Sequence, residues 1–438
     1  MPSQILTDLN LKRAQVGEVA PVEADNLRIA MLSIHSSPIG ELGTKDTGGM
    51  SVYVREIARE LGNRGHLVDI YTRLNDARQN QMAELYENVR LIHLRSGNNG
   101  HMNKLALYAH LDDFLKELEG FRTRESIDYD LIHSHYWLSG RVGNWAQERW
   151  EVPHVFMFHT VGAVKNNTVG SEREPELRTA IENHLARNCD RILVATDKER
   201  VHLMQHYGAA AETIGVVPCG VNLDLFRPLD KKKARQQLGF GQDESIVLFV
   251  GRFAPLKGID RLLEAVAHLQ HYRRFRLVIV GGDGDHTPES KSLRSLSREL
   301  GIQDFVTFVG RIEQEKLPPY YSAADVSVVP SHYESFGLVA LESLASGTPV
   351  VATKVGAMES ILREGETGLV VENCSPRLLA NGIETFISRS HFPSADAIRA
   401  TVLEFSWASV ASAMMNEYAA VLRQYNFETC CCGKVSMI

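Results

Sequence analysis

The stretch "SHYESFGLVALESLASGTPVV", residues 331–351, is almost wholly apolar, yet it carries two carboxylates, Glu334 and Glu342, with seven residues between them. The β-branched runs "VSVVP" before it and "PVVAT" at its end read as strands. Between them "FGLVALESLAS" reads as a helix closed by Gly347 at C′, with Pro349 beyond. Glu334 then lies on the loop at a strand's carboxyl end, and Glu342 two turns into a helix that is apolar on nearly every side. A charged group without partners in such a place costs several kcal/mol, so Glu342 needs donors. Two vicinal ribose hydroxyls would supply them, and the free amides of the helix N-terminus suit a phosphate or a sugar hydroxyl. The plainer reading, that both acids cap or salt-bridge within their own domain, stands beside it.

The same strand–loop–helix unit recurs along the chain. From about residue 27 to residue 390, short β-rich runs alternate with helical segments, which means parallel sheets with crossover helices. In the first half the strands are "LRIAMLSIHS", "LVDIYTR", "VRLIHLR", "DLIHSHY", "HVFMFHT" and "RILVAT"; "VYVREIARELGNRGH" and "LRTAIENHLARNCD" show helical spacing, the former closing on Gly65. The rhythm breaks over "VVPCGVNLDLFRPLDKKKARQQLGFGQDE", which reads as a linker with its boundary near Val216. It restarts with "SIVLFVGR", "FRLVIVGG", "FVTFVGR", "VSVVP", "PVVAT" and "TGLVV", and "WASVASAMMNEYAAVLRQY" is a last amphipathic helix. The expected organisation is a tail over 1–26, an α/β domain over 27–215, a second over 216–405, and a helix and tail over 406–438. Two doubly wound domains then face each other across a cleft, and ligands bind beyond the carboxyl ends of their strands.

Composition narrows the function classes. The chain has 438 residues, 44% hydrophobic and 23% charged, as in a soluble two-domain protein. A net charge of -7 provides no basic field for nucleic acid, although local basic sites for small phosphates remain compatible with it. No apolar run approaches the roughly 20 residues that cross a bilayer, and the first 26 residues lack a signal-peptide core, so a cytoplasmic protein is expected. Six cysteines make no disulfide scaffold; Cys430, Cys431 and Cys432 are read as part of a solvated tail, with no second ligand pair at zinc spacing and no prenylation signal, Val435 standing fourth from the end.

The segment "GRFAPLKGIDRL" follows the first strand of the second domain and puts Arg252 and Lys257 on one loop, where two cations can clamp a diphosphate. A solvated basic loop is the bland alternative. With these residues in view the chain resembles the retaining glycosyltransferases of family 4. "ESFGLVALE" looks like their E-x7-E signature and "GRFAPLKG" like their Arg and Lys pair, over a match from about residue 27 to the last helix. The resemblance implies the GT-B fold, two facing Rossmann-like domains with an interdomain cleft. It implies that Glu342 holds the donor ribose, that Glu334 meets the transferred sugar, and that Arg252 and Lys257 bind the diphosphate. Arg311 would lie near the nucleobase, and Gly49, Phe336, Gly337 and Leu338 would complete the donor site, with no metal and no cofactor required.

"GTKDTGGMSVYVREIARELG" puts Gly48 and Gly49 ahead of a helix, where backbone amides can approach an anion closely. With "SIHSSP", ending at His35 and beyond, it resembles the inositol-phosphate N-acetylglucosaminyltransferases of mycothiol synthesis and, more loosely, the sucrose-phosphate synthases. That resemblance implies an acceptor site of His35, Gly48, Gly49, Met50, Ser51, Lys104, Tyr136, Thr160 and Arg178, the last four on the acceptor phosphate. Cations and hydroxyls there suit a dianion. Ser51 departs from the mycothiol enzymes, which carry Asn after "GGM", and the expectation is an altered choice of polyol. His159, closing "HVFMFHT", is placed by the same resemblance beside the donor sugar, whereas His133 and His135 are read as structural.

In "VIVGGDGDH", Asp283 and Asp285 form a D-x-D that in another fold would chelate a metal, but the glycines do not spell G-x-G-x-x-G, and the segment reads as a Gly-rich loop lining the donor site. The expected activity is transfer of a hexosyl unit, with retention, from a nucleoside diphosphate sugar, a uridine one first, to a phosphorylated polyol such as inositol phosphate. The alternatives are transfer to fructose 6-phosphate, a sugar-nucleotide epimerase or hydrolase, a nucleotide-sugar-binding regulator without turnover, and a nicotinamide dehydrogenase. A nucleotide sugar and a phosphorylated acceptor are the expected partners, and a homodimer is left open.

Overall fold

The computed structural model describes residues 26–43, 47–76, 78–98, 100–168, 173–272, 274–282, 284, 287–388 and 393–431. Its first sheet holds β1 (Arg28–Leu32), β2 (Leu67–Arg73), β3 (Met82–Tyr86), β4 (Val89–Leu94), β5 (Leu131–His135), β6 (His154–Met157), β7 (Arg191–Val194) and β8 (Ile214–Val216), in the order β3-β4-β2-β1-β5-β6-β7-β8. The second holds β9 (Ser245–Val250), β10 (Phe275–Val280), β11 (Val306–Gly310), β12 (Val326–Val329), β13 (Val350–Thr353) and β14 (Gly368–Val371), in the order β11-β10-β9-β12-β13-β14. Among the described strands only β3 runs antiparallel, against β4.

The strand centres explain the layering. Ile29 to Leu32 and Leu277 to Ile279 have no exposed surface, so both faces of each sheet must be covered, which a parallel sheet achieves with its own crossover helices. Strand order, though not strand direction, reverses between β1 and β5 in the first sheet and between β9 and β12 in the second. A crevice opens at each reversal. The loops there carry His35 and Tyr136 in one domain and Arg252, Lys257 and Glu334 in the other.

Three features differ from the sequence reading. The region taken as a linker contains a helix, Lys231–Leu238, that belongs to the second domain: Arg235 is buried and donates to the Ala323 carbonyl at 3.0 Å and to Asp325 at 2.8 Å. The crossing is thus confined to residues 217–229. The helix Trp407–Cys431 packs on the helix Gly49–Asn63 of the first domain, with Arg64 donating to the Ala408 carbonyl and the Ser412 hydroxyl, and Arg191 pairing with Glu417 at 2.6 Å. Cys430 and Cys431 therefore end a helix rather than lie in a tail, and Cys432 falls outside the described residues. Among the described residues no helix is long and apolar enough to cross a membrane.

Candidate active site

The helix of the opening stretch spans Leu338–Ala345 and begins later than its apolar pattern suggests, because Gly337 before it adopts φ +114°. A Cβ on Gly337 would come within 2.0 Å of Met358 Cε. Glu342 consequently lies one turn into the helix, not two. Its donors come from the chain: Gln314 Nε2 donates to Oε1 at 2.9 Å and the Tyr321 hydroxyl to Oε2 at 2.8 Å. Burial raises the carboxyl to about 7, against the lowering effect of both hydrogen bonds. A carboxylate offers about four lone-pair positions, so each oxygen keeps one for a ligand.

Glu342 lines a cavity of about 200 Å³ between the domains, together with Arg252, Lys257, Arg311 and Leu338 from the second domain and Gly48 and Gly49 from the first. A Cβ on Gly49 would lie 3.2 Å from Leu338 Cδ1 across the boundary, a tight contact between the two domains. Gly281, at φ +137°, lets the Gly-rich loop approach within what would be 1.8 Å of the Gly251 carbonyl, and also lines the cavity. Asp283 and Asp285 lie outside the described residues. Arg311 pairs with Glu41 of the first domain at 2.7 Å. Phe336, expected at the donor, is buried with its ring 6.2 Å from that of Phe405 and does not line this cavity.

Glu334 faces the other way. It accepts from Lys257 Nζ at 2.6 Å and from the Ser331 hydroxyl at 2.8 Å, and it lines a second interdomain cavity with Tyr333, Lys198 and Glu199. The Lys257–Glu334 pair thus stands between the two chambers. Tyr333 and Ser335 tie this loop to the first domain, through the Val161 amide and the His159 carbonyl.

His159 is not the isolated histidine that the sequence suggests. It lies two residues past β6 at φ +59°, with Nε2 at 2.8 Å from His135 Nδ1, and burial lowers it to about 3. It is a neutral ring at any ordinary pH. His133 bonds the Tyr418 hydroxyl at 2.7 Å, and its ring lies 4.1 Å from that of His135 at a tilt of 41°.

The residues read as an acceptor site gather around Tyr136, whose backbone sits at φ +73° and whose hydroxyl is pushed up to about 12 by burial. The His35 ring lies 4.4 Å from the Tyr136 ring at a tilt of 35°, Lys104 Nζ lies 5.9 Å from the Tyr136 ring centroid and the Arg178 guanidinium 4.7 Å. His35 is driven well down, chiefly by burial and then by Lys104, His159 and Arg178. Arg178 is held more firmly than expected. Its donors reach Glu182, Glu174, the Tyr136 hydroxyl and both oxygens of Thr160, so all five N–H bonds are engaged within the chain. Ser51 is buried with its hydroxyl 2.6 Å from that of Ser36, on the loop that carries His35. Met50 packs into the core on both sides of the sheet.

Gln314, Tyr321 and Ser335 went unnoticed in the sequence. Gln314 lies three residues past Arg311, within a stretch whose polarity looks like ordinary solvated surface.

Residues 47–225 match the family described as Glycosyltransferase Family 4, and residues 230–401 match Glycosyl transferases group 1. D-inositol 3-phosphate glycosyltransferase 2 of Catenulispora acidiphila is 39% identical over 93% of this chain and 99% of its own length. The chain belongs to glycosyltransferase family 4. A second relative of this glycosyltransferase, D-inositol 3-phosphate glycosyltransferase of Geodermatophilus obscurus, is 40% identical over 92% of each chain. The glycosyltransferase superposes on the sucrose-phosphate synthase of Thermosynechococcus elongatus with a TM-score of 0.82 and 33% identity, over 91% of this chain and all of that one. Anabaena HepE in complex with UDP-glucose shares the fold at a TM-score of 0.70 and 20% identity, covering 90% and 100% of the two chains. The architecture is GT-B.

Proposed function

We propose that this glycosyltransferase moves a hexosyl unit from a uridine diphosphate sugar to a hydroxyl of a phosphorylated polyol, inositol phosphate before others, with the anomeric configuration retained. The observation that carries the reading is the convergence of Lys104 and Arg178 on Tyr136, beside a separate interdomain cavity that joins Glu342 to Arg252 and Lys257. In this reading the ribose hydroxyls donate to the remaining lone pairs of Glu342, and the diphosphate draws Lys257 from Glu334. Arg252, Lys257 and the amides at Leu338 stabilise charge growing on the departing diphosphate, a preorganised electrostatic contribution that assigns no role to a metal. The C1–oxygen bond to the diphosphate breaks, the acceptor oxygen bonds C1 on the same face, and its proton passes to the leaving phosphate. Neutral His159, tied to His135 at Nε2, is suited to one hydrogen bond with a sugar hydroxyl. Lys104 meets the acceptor phosphate, while Arg178 reaches it by exchanging Glu174 for a phosphate oxygen.

A second reading, transfer to fructose 6-phosphate, is favoured by the likeness to sucrose-phosphate synthase. Nucleotide sugars assayed against inositol phosphate, fructose 6-phosphate and glycerol phosphate, scored by nucleoside diphosphate release, separate the two. Release that needs inositol phosphate supports the first reading. Equal release without any acceptor, or an inverted product by NMR, overturns it.

A further inference from the structure

A continuous chain of hydrogen bonds crosses the domain boundary beside the nucleotide cavity. Arg55, on the helix Gly49–Asn63, donates from Nη2 to Gln314 Oε1 at 2.9 Å, and Gln314 Nε2 donates to Glu342 Oε1 at 2.9 Å. Chemistry fixes the direction. A guanidinium has only donors and an ionised carboxylate only acceptors, so a single orientation of the Gln314 amide serves both. Gln314 is buried and belongs to the cavity wall, whereas Arg55 lies outside that wall with its Nε resting on Glu56 at 3.2 Å.

We propose that Gln314, aligned by Arg55 from the opposite domain, is a positioning residue that sets the ligand-binding geometry of Glu342 and couples nucleotide affinity to closure of the two domains. The inference rests on the reading of Glu342 as the ribose ligand. When the domains part, the Arg55–Gln314 contact is lost because its partners lie on different bodies, while Gln314 and Glu342 stay on one. The amide is then free to turn, and its oxygen facing Glu342 repels the carboxylate. When the domains close, Arg55 restores the donating face, and Tyr321 and Gln314 hold the two carboxylate oxygens from separate elements. By linkage, a nucleotide that prefers the aligned Glu342 draws the domains together by the same factor that closure adds to its affinity.

The test is UDP binding by calorimetry, with donor and acceptor KM, in the wild type, Glu342→Gln, Gln314→Ala, Arg55→Ala, Arg55→Lys and the double variant Arg55→Ala/Gln314→Ala. Arg55→Ala is expected to weaken UDP and raise the donor KM about five- to tenfold, leave the acceptor KM in place, and recover most of the loss as Arg55→Lys. The double variant should bind UDP no worse than Gln314→Ala alone. Melting curves close to that of the wild type tie the loss to geometry rather than to unfolding. If Glu342→Gln weakens UDP and Arg55→Ala does not, or if the two losses in the double variant add, the coupling is overturned while the ribose reading survives. If Glu342→Gln binds UDP as the wild type does, the ribose reading falls and the coupling with it.

Discussion

Glu342 is a carboxyl raised to about 7, so near neutral pH a ligand meets a mixture of acid and carboxylate. Ribose hydroxyls donate to the ionised form, so UDP affinity should rise with pH through that value. Calorimetric titrations of UDP at about pH 6 and about pH 8, compared between wild type and Glu342→Gln, isolate this residue from the ligand's own phosphate ionisation. Identical pH dependence in the two proteins would remove Glu342 from the site. Stability without ligand carries the opposite sign. A carboxyl raised in the folded state contributes stability that is fully present below the usual carboxylate range and is lost as pH rises towards about 7, and Glu199, also raised by burial to about 7, adds in the same direction. Denaturant unfolding across that window should therefore show a shallower fall in Glu342→Gln. That Glu342 is buried could be read from its apolar neighbours alone. Gln314 and Tyr321 could not be matched to it, because the pairing depends on how a turn 28 residues upstream folds over the helix.

Among the elements, the helix Leu338–Ala345 depends on the left-handed residue that starts it. Gly337→Ala would place a methyl against Met358 in a backbone conformation that alanine resists, at a cost of roughly 1–3 kcal/mol. The expected result is a lowered denaturation midpoint and a donor KM raised at least several-fold, with acceptor KM little changed; wild-type values for both would show that the turn tolerates a side chain. The strands were legible because their centres are buried on both faces and spell runs of Val, Ile and Leu. β3 was not, since it is an edge strand whose residues are largely exposed, and its antiparallel pairing rests on a turn at Asn88, φ +60°. The helix Lys231–Leu238 was hidden by charge: it is lysine-rich and only Ala234 and Arg235 are buried.

For the molecule as a whole, the helix Trp407–Cys431 closes the first domain from the far end of the chain. Tyr418 is fully buried there and bonds His133 Nδ1, while His133 Nε2 has no partner among the described residues. Tyr418→Phe leaves that ring wholly unsatisfied and is expected to cost about 1–3 kcal/mol, read as a lower denaturant midpoint; an unchanged midpoint would show that the contact adds nothing to folding. The sequence displays this helix as amphipathic, but amphipathicity says that a face is covered and not by what. Its packing on the helix Gly49–Asn63 and the Arg191–Glu417 pair, reached after the chain returns past Val221 at Ser406, assign it to the first domain. The order of synthesis then matters. At about 5–20 residues per second, a ribosome needs roughly ten to forty seconds to add the second domain before Trp407 emerges. Throughout that interval the nascent amino-terminal half carries a greasy strip with nothing to cover it, a natural client for a chaperone, and it becomes whole only as the final turns are translated.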